Sequence, residues 1–173
     1  MYRLYQALAL TLLLGWGHNM AVSINPQVSG GGFQGAPESV ANSAIKTMVN
    51  GDTIFTVVGD VQIIQLYSEC VTANNATAST LQYSITPTGL VASTISGASS
   101  TLASAIIGTT VSLDGTALST APIVSPNAVA LGTVRPIVSL SGVITLVIGV
   151  GSTTGTWEHY IRYRPLEFGA YVY

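Results

Sequence analysis

Charge is scarce in this chain. Lys, Arg, Asp and Glu make up 7% of its 173 residues, five basic and seven acidic, for a net charge of −2. An average soluble domain carries roughly 25%. A free monomer keeps itself soluble with a mixed charged surface. This surface must therefore be built of neutral hydroxyls and amides or be covered by partners, and composition favours covering. Five basic residues without a cluster leave no phosphate-binding footprint, so nucleic acid is not expected as a partner. Cysteine is scarcer still: Cys70 stands alone, which excludes an intramolecular disulfide and a thiolate metal cluster. It reads as a small buried hydrophobe in a strand. With only His18 and His159, a zinc site would need distant carboxylates, and no cofactor or metal is expected. Long apolar runs are also missing from the main body. Mean hydropathy is positive, yet the longest apolar stretch there, VITLVIGV at 143–150, falls far short of the ~20 residues of a membrane helix. It has strand length, and no membrane is expected in the mature form.

The N-terminus poses a separate question. MYRLYQALALTLLLGWGHNM (1–20) carries Arg3 and then an apolar run from Ala7 to Leu14, the pattern of a secretory signal, with Ala21-Val22-Ser23 as a small-residue cleavage site. Met20 before Ala21 equally reads as the true start behind an over-extended gene, and a helical arm docked on a partner is the third reading. Residues 1–19 are accordingly a leader, anchor or over-extended start. Residues 20–52 read as an extended Gly-rich arm, VSGGGFQGAP being without period. Within it Pro37–Met48 has room for a turn or two of helix, with Pro37 at an allowed early position.

From Thr53 to Tyr173 the texture is β. Short runs rich in Val, Ile, Thr and Tyr are punctuated by Gly, Asn, Asp, Ser and Pro, which predicts eight or nine strands and an all-β fold, an antiparallel sandwich of jelly-roll-like type. Ser96–Ile107 reads as either a small helix or a loop. Val61, Ile63, Gln65 and Tyr67 alternate with Gln62, Ile64, Leu66 and Ser68, apolar on both sides as in a central strand. The tail GTWEHYIRYRPLEFGAYVY (155–173) concentrates functional groups: one of two Trp, one of two His, and four of eight Tyr. Alternation puts Trp157, His159, Ile161 and Tyr163 on one face, with Trp157, Ile161 and Tyr163 as candidate core. Glu158, Tyr160, Arg162 and Arg164 fall on the other, either as a solvated face with one cross-strand ion pair or as a candidate interface in which Arg and Tyr act as anchors. GSTTG (151–155) reads as a hairpin link from Val143–Val150 to this strand, and Pro165 as its stop.

Acid–base or nucleophilic catalysis needs positioned titratable groups. His159 lies on an apolar face, as a core or interface histidine would, and Glu158 beside it points the other way. Asp52, Asp60 and Asp114 each neighbour a glycine at a turn, without the spacing of a calcium loop. GVGSTTG lacks the Lys of a phosphate loop. Asn75-Ala76-Thr77 is a formal glycosylation triplet of the kind that arises by chance in a Ser/Thr-rich chain. No catalytic constellation emerges, and an enzyme is not expected.

LYSECVTANNATASTLQYSITPTG, with a Leu-Tyr-Ser-Glu core at Leu66–Glu69, and the Gly-Thr-aromatic…Tyr-x-Pro-Leu strand at Gly155–Leu166 resemble small virion structural proteins of tailed bacteriophages. The resemblance reaches at most over 53–173. It implies a capsid decoration (cement) protein that stabilises a phage head, with a fibre or minor tail protein as the alternative. It also implies a β-rich homo-oligomer, a trimer above all, on the capsid surface of the virion with the major capsid protein as partner. Two other readings stand beside it. One is a secreted or cell-surface adhesin, should the leader be a true signal. The other is a carbohydrate-binding sandwich, which needs Trp157 and its face exposed.

Overall fold

The alternating runs fold into antiparallel strands that close on each other as two layers. The computed structural model describes residues 37–113, 118–126, 137–150 and 154–173. The leader, most of the arm, Asp114 and residues 151–153 of the GSTTG link lie outside these. The described strands are β1 (Ser39–Asn42), β2 (Lys46–Thr47), β3 (Thr53–Val58), β4 (Val61–Cys70), β5 (Thr80–Pro87) and β6 (Ser93–Thr94), followed by β7 (Thr110–Ser112), β8 (Ile123–Ser125), β9 (Ile137–Ser139), β10 (Gly142–Gly149), β11 (Thr156–Pro165) and β12 (Tyr171–Val172). One sheet runs β1-β11-β4-β7-β8, with β2 also on β11 and β9 also on β4. The other runs β12-β3-β10-β5-β6. Ser96–Ile107 is irregular.

The two inner faces meet in one core. The second sheet supplies Phe55, Val57, Leu81, Tyr83, Ile85, Ile144, Leu146 and Ile148. The first supplies Val61, Ile63, Leu66, Cys70, Val111, Trp157 and Ile161. Each large apolar side chain taken from water in this way contributes about 1.5–3 kcal/mol, which is how a charge-poor chain holds together. The chain passes from β3 in one sheet to β4 in the other through only Gly59 and Asp60. Gly59 has φ +71°, and a Cβ there would strike the Glu167 carboxylate and Ala170. This corner needs glycine for both reasons. It is tied by Gly59 N–H to Ser141 Oγ (2.7 Å), by Asp60 N–H to Glu167 Oε1 (3.0 Å) and by Leu166 N–H to the Asp60 carbonyl (2.9 Å).

Three local expectations change. β10 and β11 do not form a hairpin: β10 pairs with β5 along Gly142–Gly149 on one edge, and on the other with β3 along Gly142–Thr145, after which Leu146 bonds to Gly51 and Asp52 and the Ile148 N–H to Asn50. Neither edge is left for β11, so the chain crosses to the other sheet. Pro37–Met48 is not helical. Ser39–Asn42 pairs with Tyr163–Tyr160, and Lys46–Thr47 pairs with Trp157–Thr156. A helix of one or two turns is marginal in water, whereas the free edge of β11 offers a ladder of unpaired N–H and C=O groups. Strand β4 breaks its alternation at a bulge. Arg162 pairs with Gln65 and Tyr163 with Ile63, which leaves Ile64 as the extra residue. The bulge reverses the phase: Val61 and Ile63 point inward, then Leu66, Ser68 and Cys70 do, while Gln65 and Tyr67 turn outward.

Candidate functional site

Strand β11 carries two different chemistries on its two faces. Inward, Trp157, His159, Ile161 and Tyr163 are all buried. Trp157 is held by Asn74, a buried side chain on the turn after β4. Its Oδ1 accepts the indole N–H (3.1 Å) and the Gly155 N–H (3.2 Å), and its Nδ2 donates to the Leu102 carbonyl (3.0 Å). The close approach explains Gly155, where a Cβ would meet Asn74 Oδ1 and the Thr72 carbonyl.

His159 ends a buried chain of polar groups whose proton positions follow from one fixed point. A carbonyl only accepts, so Tyr83 O–H donates to Val111 O (2.8 Å). The Tyr83 oxygen then accepts from Ser68 O–H (2.8 Å), and Ser68 Oγ accepts from His159 Nδ1–H (2.7 Å). His159 is therefore the neutral Nδ1–H tautomer, with Nε2 buried and without a partner among the described residues. Burial holds its pKa down to about 4, with nearby Lys46 acting in the same direction. Burial also raises the Tyr83 hydroxyl well above the usual tyrosine value. The Ser–His pair has the distance of a nucleophile and its base, but the direction is wrong. The histidine donates to the serine, and neither side chain meets solvent.

Outward, the residues form one continuous face with strands β4 and β1. Directly opposite neighbours share a side in an antiparallel ladder, so Glu158 stands beside Glu69, Tyr160 between Tyr67 and Asn42, Arg162 between Gln65 and Val40, and Arg164 beside Gln62. Tyr67 and Tyr160 stack at 4.8 Å between ring centres and 13° between planes. Glu158 is gripped at both oxygens, by Tyr160 O–H (2.7 Å) and Asn42 Nδ2 (2.7 Å). These bonds favour the ionised form and hold its pKa below the usual carboxylate value. The same bond, together with burial and the charges of Glu158 and Glu69, raises Tyr160. At the other end Glu38 bridges Arg162 Nε (3.5 Å) and an Arg164 guanidinium nitrogen (3.2 Å).

The four residues that alternation puts on this face lie together on it. What completes the face has no local signal in the sequence. Unbroken alternation along β4 gives Tyr67 the opposite phase, which the bulge reverses, and Asn42 and Glu38 belong to the segment with room for a helix. Both arginines of the described residues, with Glu38, Glu69 and Glu158, converge on a single patch of a surface otherwise poor in charge. Among the described residues no group of three or more His, Cys, Asp or Glu is placed to hold a metal ion. None of their helices is long and apolar enough to cross a membrane.

No family matches the chain, and no curated protein matches it. Among solved structures it is similar to the structure of infectious bursal disease virus, Gx strain, with 11% sequence identity and a TM-score of 0.21. The match covers 78% of this chain and 35% of the viral one, so the chain spans about a third of that protein's length. A likeness at this level implies neither a shared fold nor a shared function. What stands, among the described residues, is an all-β fold of two antiparallel sheets packed as a sandwich, with a polar, aromatic face on the layer that contains β11.

Proposed function

We propose that this chain is a non-enzymatic structural subunit of a phage virion, a decoration protein that binds the assembled capsid and stabilises it as a homo-oligomer. The observation that carries the reading is the outward face of β11. The side chains best suited to anchor a protein interface, Arg and Tyr, are gathered there on a chain with few other charges. The phage assignment itself rests on the resemblance of Leu66–Glu69 and Gly155–Leu166 to virion proteins. A subunit that binds only the assembled shell stabilises it by mass action, and many symmetric copies multiply modest contacts. The arm ahead of β1 would bridge neighbours by adding a strand to an exposed edge.

The test is mass spectrometry of purified virions, followed by occupancy of the shell by an R162A/R164A variant. The chain should be found in stoichiometric amounts on heads, and the variant should decorate them poorly. Absence from virions would overturn the assignment, and unchanged occupancy would overturn the role of this face. The carbohydrate-platform alternative is set aside: it requires Trp157 and Tyr163 exposed, and both are buried.

A further inference from the structure

The outward face of β11 is polarised along the strand. Glu158 and Glu69 sit directly opposite each other across β11 and β4. Like charges in that position repel, and among the described residues neither carboxylate meets a cation. Arg162 and Arg164 lie at the other end, two positive charges sharing the single carboxylate of Glu38. Glu158 and Arg162 are four residues apart on one extended strand, about 13 Å, too far to pair within the subunit. Midway between them stands the Tyr67–Tyr160 stack.

We infer that this face binds a second copy of the same chain, through a two-fold axis that lies in the interface and crosses the strands along the Tyr67–Tyr160 row. Such a rotation reverses β11 upon itself. It lays Tyr160 over the partner's Tyr160, Glu158 over the partner's Arg162, and Arg162 over the partner's Glu158. The excess of negative charge at one end meets the excess of positive charge at the other, twice, about an aromatic centre. That is the self-complementarity an isologous contact requires, and it places a cation next to the Glu158–Glu69 pair, which meets none among the described residues. Glu158 is already oriented for this contact by Asn42 and Tyr160, so little side-chain freedom is lost on docking. The inference rests on the reading of this face as an inter-subunit surface and names its partner.

The experiment is sedimentation equilibrium of the purified full-length chain at low and high salt, with E158R, R162E, an equimolar mixture of the two, and the double variant E158R/R162E. The wild type should be a dimer that weakens with salt. Each single variant sets like charges against each other at both ends and should weaken association by at least about tenfold. Mixing the single variants restores opposite charges at both ends of a heterodimer, and the double variant restores them in a homodimer, so both should recover association. Recovery also shows that the variants fold. A monomeric wild type, an oligomer indifferent to the single variants, or variants that circular dichroism shows folded but that do not recover would each overturn the contact. Dimers in solution with no protein on virions would leave the contact standing and remove the decoration role. Virion-bound protein with no two-fold dimer would do the reverse.

Discussion

His159 is fully buried with Nε2 unpartnered among the described residues, and protonation would place in the core a second N–H that none of them accepts. Its folded pKa lies near 4, while in the unfolded chain it returns to about 6.5. A base with a depressed folded pKa costs stability wherever the unfolded state binds the proton and the native state does not. Stability should therefore be full above about pH 6.5, fall between about 6.5 and 4 by about 3 kcal/mol, and show no further loss from this group below that. Glu158, whose folded pKa is lowered, adds a further loss as pH falls below its unfolded value of about 4.5. Urea titrations of wild type and H159F at pH 7 and pH 4.5 check the first part: the difference between the two pH values should shrink in the variant, and an equal difference would remove His159 as its source. Asn74 makes the second prediction at this scale. N74A strands the Trp157 indole N–H and the Gly155 N–H in a buried site, each costing about 1–3 kcal/mol, and should lower the urea midpoint by the equivalent of at least about 2 kcal/mol. Alternation along β11 is enough by itself to place Trp157 and His159 on one side. Their partners are not legible in the same way, because Asn74 and Ser68 reach them across 83 and 91 residues of sequence, and no local pattern encodes such a pairing.

Strands with clear period-two texture are readable wherever the chain makes its own case for them: β3, β4, β5, β10 and β11 fall on the runs that composition marks out. Pairing partners are not readable. Val143–Val150 and Thr156–Pro165 look like the arms of a hairpin because they are adjacent in sequence, but β5 takes one whole edge of β10, and β3 with Asn50–Asp52 takes the other. Ser39–Asn42 and Lys46–Thr47 are too short and too polar to signal a strand alone; they become strands because β11 offers an edge. Lys46 pairs opposite inward-facing Trp157 and bends back to Asp52 (3.6 Å) and the Thr53 carbonyl (3.1 Å). A lysine on an edge strand discourages further strand addition there. Met48 follows directly and is fully buried, so this segment seals one side of the sandwich. M48A should cost about 2–5 kcal/mol, and a chain beginning at Thr53 should lose that packing together with the strands on β11. Heating scans followed by near-ultraviolet circular dichroism would show the truncated chain melting lower and less cooperatively. An unchanged transition would mean that the sandwich ends at β3.

The whole molecule separates what holds it together from what it presents. Its apolar cluster is continuous between the sheets, while the ion pairs of the described residues, Lys46–Asp52 and Glu38 with Arg162 and Arg164, lie at the surface with side chains 30–48% exposed. Pairs of that kind contribute no more than about 1 kcal/mol and are screened by salt. Removing both arginines should therefore leave the fold almost untouched and act on association. In urea titrations at concentrations where the protein is monomeric, R162A/R164A should differ from wild type by less than about 1 kcal/mol. Its self-association and its decoration of shells should both fall sharply. Raising the salt on the wild type should reproduce that split: little change in monomer stability, marked loss of assembly. If the variant instead unfolds early, the β11 face is part of the fold's own support, and the scarcity of charge elsewhere would need another explanation than a covered surface.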